Sequence, residues 1–185
     1  MPVVDTEQTD VVLVRLLQQK NSKAFAQLYE RYKNRIYSYC LRLIGDRGAA
    51  EDAAHETFMK MFDGINSLRS PESFKPWLFR IARNEAFMNL RKNRSNGYNK
   101  ADFMREDQSI DEQLLASETS EIVKHHLMSL KQEYREVLIL REYDQLSYAQ
   151  ISEVTGDTES SVKSRIFKAR KALGEKLRPY FKSQR

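Results

Sequence analysis

Between Phe25 and Leu43, apolar side chains recur at intervals of three and four residues: Phe25, Leu28, Tyr32, Ile36, Tyr39 and Leu43. An α-helix puts such positions on one face, and a stripe this long must be buried against other elements. Gly45 supplies a stop after Ile44. The rest of the chain repeats the theme with few interruptions. Its 185 residues include only 6 glycines and 4 prolines, too few for a turn-rich β protein. Alanine, leucine, glutamate, lysine, arginine and glutamine are plentiful, and all are good helix formers. The expected fold is all-α: two small helical domains joined by a flexible linker, the second containing a helix-turn-helix.

The helices can be placed one by one. A short apolar helix is expected over Asp10 to Gln19, ending near Asn21, and the long helix follows over about Lys23 to Ile44. Asp46 can cap a third helix running to about Phe62, with Ala50, Ala53, Ala54, Phe58 and Met61 inside. The stretch from Gly64 to Pro76 holds two prolines and three serines and reads as a break. Helix resumes near Pro76, with Trp77, Leu78, Ile81, Ala82, Phe87 and Leu90 facing inward. The rings of Trp77 and Phe79 follow the apolar stripe, which favours core packing over an exposed stacking role. Periodicity fades from Ser95 to about Ser120, an acidic linker by composition. These boundaries divide the chain into 1–95, 96–120 and 121–185.

In the last part, Ser129 with Gln132 and Ser147 with Gln150 both have capping-box spacing. The first is expected to open a helix through Tyr134, Val137, Leu138 and Arg141. The second opens a very short helix, SYAQISEV, followed by the turn TGD and a helix capped by Thr158. In that last helix Val162, Ile166, Ala169 and Leu173 share one face. Ser160, Ser164, Lys168 and Lys171 lie roughly opposite with Ser161 beside them, and Lys163, Arg165 and Arg170 flank the stripe. A short helix, a glycine-containing turn and a basic helix follow helix-turn-helix order. The second helix of that motif enters the major groove, its small polar start near base edges and its cations near phosphates.

Charge supports a polyanionic partner. The formal net charge is +5, unevenly spread: about +5 over 80–100, about −6 over 102–121, and about +8 over 163–185. The single cysteine, Cys40, excludes an internal disulfide framework and fits a reducing compartment. The start, MPVVDTEQTD, has neither the basic residues nor the apolar run of a signal peptide. Charges interrupt every long helical stretch, so no membrane insertion is expected.

Taken together, FAQLYERYKNRIYSYCLRLIGDRGAAEDAAHETFMKMF, SFKPWLFRIARNEAFMNLRK and LKQEYREVLILREYDQLSYAQISEVTGDTESSVKSRIFKARKAL resemble the extracytoplasmic-function sigma factors, small two-domain initiation factors of bacterial RNA polymerase. The resemblance covers about Phe25 to Leu177. It implies a sigma factor that directs promoter-specific initiation without catalysis or cofactor of its own. It implies binding of core polymerase through the β′ coiled coil by Asp52, His55, Glu56 and Met59. His55 stands where many members have glutamine. The loop from Asn66 to Ser73, with Asn66, Ser67, Leu68, Arg69 and Ser70, matches the segment that pockets a base flipped from the −10 element. Arg80, Arg83 and Asn84 match the part that touches the separated strand. Lys163, Ser164 and Lys168 align with readers of the −35 element, and Arg165, Arg170 and Lys171 suit phosphates. The apolar region around Val137, Leu138 and Leu140 would form a core with an exposed part open to the β flap. The acidic linker would thread towards the RNA exit path. The resemblance further implies an anti-sigma factor, a free protein that is monomeric, and a bacterial cytoplasmic location, with nucleoid association when active or retention near the inner membrane by the anti-sigma factor.

Two other readings compete with this one. A two-domain repressor would share the helix-turn-helix but leave the first unit unexplained, and no apolar seam remains for a dimer. A zinc hydrolase would use His55-Glu56 as the start of an HExxH helix, but Met59 occupies the place of the second ligand. His125 and His126 are adjacent and point to different helix faces.

Overall fold

The computed structural model describes residues 9–95 and 118–181, all helices and turns with no strand among the described residues. The amino-terminal residues 1–8, read as free of a leader, and residues 96–117 of the acidic linker expected over 96–120 lie outside the described residues.

The first unit comprises α1 (Asp10–Gln18), α2 (Ser22–Ile44), α3 (Arg47–Gly64) and α4 (Phe74–Ser95). Asn21 does more than end α1: its side chain accepts from the amides of Lys23 and Ala24 and so caps α2. Gly45 closes α2 at φ +87°, a backbone region that costs other residues steric strain. Asp46 then accepts from the amide of Ala49 and starts α3. Ala50, Ala53 and Ala54 are buried, and their small side chains let α3 lie close to its neighbours. The aromatic part of the core is built edge-to-face, with Tyr32 on Phe74 at 5.5 Å and Tyr39 on Phe79 at 5.4 Å. Each such pair contributes about 0.5–1.5 kcal/mol beyond its burial. Phe79 is fully buried, as its periodicity indicates.

The break between α3 and α4 is two short 3₁₀ turns, Ile65–Ser67 and Pro71–Ser73. Helix resumes at Phe74, two residues before the expected Pro76. Pro76 sits in the first turn, where its missing N–H lacks an intrahelical partner in any case.

The second unit comprises α5 (Glu118–Met128), α6 (Gln132–Leu138), a π-helical segment (Ile139–Tyr143), α7 (Tyr148–Thr155) and α8 (Glu159–Phe181). Its first helix starts at Glu118, within the range assigned to the linker. The expected capping box at Ser129 does not form. Ser129 donates instead to the carbonyl of His126, and the cap position of α6 falls at Lys131, after the buried Leu130. The box at Ser147 and Gln150 does form, with reciprocal bonds of 3.1 and 2.9 Å. Thr158 accepts from the amide of Ser161 and caps α8. Val137, Leu138 and Leu140 are all buried, so these three side chains offer no exposed surface for a flap contact, whereas the nearby Tyr143 is 44% exposed. Those residues face the same continuous core as Val154, Val162 and Ile166.

The units touch. α4 lies along α7, and the carboxy-terminal half of α2 meets the π segment and α5. The terminal methyl of Met128 lies over Gly45.

Candidate nucleic-acid and polymerase interfaces

The helix-turn-helix is set by one glycine and one ion pair. Gly156 closes α7 at φ +77°, and the following Asp157 takes a bidentate bond from Arg165, nearly two helical turns into α8 (2.5 and 3.1 Å). The guanidinium holds the Asp157 carboxyl below its usual range, and the carboxylate raises Arg165. Arg165, expected at a phosphate, is therefore engaged in fixing the angle between the two helices. Arg170 is likewise paired, through Nε and Nη2, to Glu142.

Val162, Ile166 and Ala169 bury one face of α8 against the unit's core. Ser160, Lys163, Ser164, Lys168 and Lys171 are exposed, and Ser161 is half-buried. Lys163 lies 3.8 Å from Glu159 and over the ring of Tyr148. Among these cations stands Phe167, four residues from both Lys163 and Lys171, with 71% of its surface exposed. Periodicity places it off the stripe but says nothing of what it meets. A large apolar ring held in water on a basic helix face is the signal to look for there, because thymine methyl groups offer an apolar partner in the major groove.

In the first unit, the loop from Asn66 to Ser73 and the start of α4 form a cleft of about 270 Å³. It is lined by Ser67, Leu68, Arg69, Ser73, Pro76, Trp77 and Arg80, and by Glu153 from the second unit. Asn66, Ser67, Arg69 and Ser70 are exposed, whereas Leu68 is only 7% exposed and anchors the loop. Gln18, a residue that periodicity passes over, holds the loop from beneath. Its amide donates to the carbonyls of Ile65 (3.1 Å) and Leu68 (2.9 Å). Ser67 donates to the carbonyl of Gly64 at 2.7 Å. Trp77 is half-buried at the cleft wall, so its ring combines core packing with an open edge. Arg80 and Asn84 are exposed on α4, one turn apart, but Arg83 turns to the second unit and donates to Glu136 at 2.5 Å.

On α3, Asp52, His55, Glu56 and Met59 are all exposed, opposite the buried alanines. Phe62 continues this face and is half exposed. It meets Phe25 edge-on at 5.3 Å, and Tyr29 meets Phe58 at 4.8 Å, giving the acidic face an aromatic border. Among the described residues no three histidine, cysteine or acidic side chains are grouped to hold a metal. No helix among them is long and apolar enough to cross a membrane.

Comparison with known proteins matches two family regions in this chain. The family model for sigma-70 region 2 matches residues 28–96, and that for sigma-70 region 4 matches residues 120–173. The chain is 30% identical over 177 residues to the ECF RNA polymerase sigma factor SigW of Bacillus subtilis, covering 89% of this chain and 95% of that one. It is 31% identical over 183 residues to the ECF RNA polymerase sigma-E factor of Haemophilus influenzae, covering 92% and 96%. Among solved structures, the sigma factor RpoE of Bartonella quintana, crystallised with the anti-sigma factor NepR, superposes with a TM-score of 0.72 at 27% identity, covering 84% of this chain and 98% of that one. With both family regions matched in order and full-length relatives at this identity, the chain belongs to the ECF RNA polymerase sigma factors of the sigma-70 family.

Proposed function

We propose that residues 1–95 dock on core RNA polymerase and capture melted −10 DNA, that 121–185 read duplex −35 DNA, and that 96–120 form the acidic connection between them. The observation that carries this reading is the presence, in one chain, of a loop-lined cleft beside exposed cations and a separate helix with a basic, open face. Opening a duplex costs stacking and pairing energy, and a base held out of the stack returns a few kcal/mol (about 1–3 per stacked base). Asn66, Ser67, Arg69 and Ser70 offer hydrogen bonds at the cleft rim, Trp77 offers a ring edge, and Arg80 and Asn84 hold the strand. On α8, Lys163, Ser164 and Lys168 face base edges, Phe167 meets a thymine methyl, and Lys171 meets phosphates, while Arg170 is held by Glu142. Arg165 acts through Asp157, by setting the angle of the helix.

Asp52, His55, Glu56 and Met59 form the docking face for the β′ coiled coil, with Phe62 extending it. A second polymerase contact, at the β flap, belongs to 121–185. The factor contributes no catalytic step of its own. It works in the bacterial cytoplasm and at the nucleoid. Since the Bartonella quintana relative was crystallised with an anti-sigma factor, a protein of that class is the expected regulator, able to hold this one away from polymerase.

The test is transcription of genomic fragments by core polymerase with and without this protein. New starts that share two upstream motifs at fixed spacing support the reading. Lys168→Ala is expected to change −35 preference by about 1–3 kcal/mol, and Asp52→Ala to weaken polymerase binding equally on every promoter. If both substitutions left transcription unchanged, these role assignments would be wrong.

A further inference from the structure

The cations of α8 differ in how they are held. Arg165 is bound to Asp157 and Arg170 to Glu142, while Lys168 and Lys171 are exposed. Lys163 is a third case. Its ammonium lies over the ring of Tyr148, 5.5 Å from the centroid, and 3.8 Å from a carboxylate oxygen of Glu159. The first distance is within reach of a cation–π attraction. The second is that of an ion pair, too long for a hydrogen bond. Neither contact takes up an N–H of the ammonium in a hydrogen bond, so Lys163 is held and still able to donate.

The ring that holds it is itself fixed. Tyr148 is the first residue of α7, directly after Ser147, whose capping box with Gln150 sets the start of that helix. Its ring is half-buried and packs on the core. Arg141, from the π segment, lies over the same ring at 4.7 Å and donates to the carbonyl of Leu146 at 2.7 Å. Tyr148 is thus where the π segment, α7 and α8 meet, through Arg141, the cap and Lys163.

A lysine left to itself reads bases poorly. Its ammonium is a compact point charge on a flexible four-carbon stem. Beside DNA it is drawn to phosphates, which carry no sequence information directly. A ring that holds the charge removes much of that freedom before binding. We infer that Tyr148 is a positioning residue for −35 specificity: it holds the Lys163 ammonium near the amino-terminal end of α8, so that its donors meet a base edge in place of a phosphate. The acceptors that suit this donor in the major groove are O6 and N7 of guanine. The inference rests on the proposed base-reading role of Lys163, and it assigns the selectivity of that contact to a residue that touches no base.

The test is transcription by reconstituted holoenzyme from one promoter found among its genomic starts, with each base pair of the upstream motif replaced in turn. Lys163→Ala is expected to flatten the preference at one position, a guanine in the native motif. Tyr148→Leu should flatten the same position by about 2- to 30-fold, the range of a cation–π contact. It should add nothing there when Lys163 is already alanine. Because Tyr148 is half-buried, Tyr148→Leu also costs stability, and a second series keeps the fold. Phenylalanine, then increasingly fluorinated phenylalanines, at position 148 preserve the shape of the ring while draining charge from its face. Tyr148→Phe should keep the preference, and each added fluorine should lower it while urea midpoints stay near native. A Tyr148→Leu chain that weakens every position equally, or a preference indifferent to fluorination, overturns the positioning role. If Lys163→Ala leaves every position unchanged, the base-reading role of Lys163 fails, and the positioning role falls with it.

Discussion

Gln18 is the strongest single test of how the loop proposed for −10 capture is built. Its side-chain amide donates two hydrogen bonds, to Ile65 and Leu68, across 47 and 50 residues of sequence. A net contribution of about 0.5–1.5 kcal/mol per bond puts Gln18→Ala at about 1–3 kcal/mol. For a chain of this size that is a fall in Tm of roughly 2–10 °C. If the loss is felt as loop order, promoter opening should decline by about 5- to 150-fold, since 1.4 kcal/mol is about tenfold. Gln18→Glu separates donation from packing. It keeps the shape but sets a carboxylate against two carbonyl oxygens, and should be worse than alanine. Permanganate footprinting of the melted region reads opening, and a fluorescence titration with core polymerase reads docking. The expected result is impaired opening with unchanged docking. Equal losses in both assays, or a glutamate variant that behaves like the native chain, would refute the reasoning.

Phe167→Ala should leave the unfolding free energy within about 0.5 kcal/mol of native because the ring is exposed. It should nonetheless weaken binding to a −35 duplex, and replacing thymine by uracil in that duplex should cost the native chain more than the variant. Gly156→Ala puts a side chain at φ +77° with nothing within 4 Å to clash, so the cost is conformational alone, about 1–2 kcal/mol by urea denaturation. Asp144 faces Arg35, Arg42 and Lys75, yet burial pushes its carboxyl up to about 6 from a model-peptide value near 3.8. The folded chain therefore binds this proton more tightly than the unfolded chain, and the Asp144 contribution to stability falls as pH rises from about 4 to about 6, by about 2–3 kcal/mol. Urea titrations of the native chain and Asp144→Asn should diverge across that window and run parallel above pH 7. Parallel curves throughout would show that Asp144 does not titrate in the interface.

What was legible from residues alone was whatever depends on near neighbours in the chain. Helical periodicity located the elements, because a buried stripe must repeat every three to four residues whatever it packs against. Local caps at Asp46, Ser147 and Thr158 formed as their spacing indicates. Ser129 had the same spacing and failed, because its hydroxyl found the His126 carbonyl and the burial of Leu130 moved the helix start. A capping signature states which bonds are possible, and packing selects among them.

The sequence by itself determined an all-α chain, two units and a basic recognition helix, together with the family that those motifs in that order denote. These follow from periodicity, charge and short-range spacing. Only the tertiary structure decided which cations are available. It committed Arg165 to Asp157, Arg170 to Glu142 and Arg83 to Glu136, and turned the carboxyl end of the π segment towards Arg35 and Lys75. It also placed Gln18 beneath a loop nearly 50 residues away and left Phe167 in water. The physical reason is that a charge or an amide is satisfied by whatever the fold brings within about 3 Å, and separation along the chain does not encode that distance.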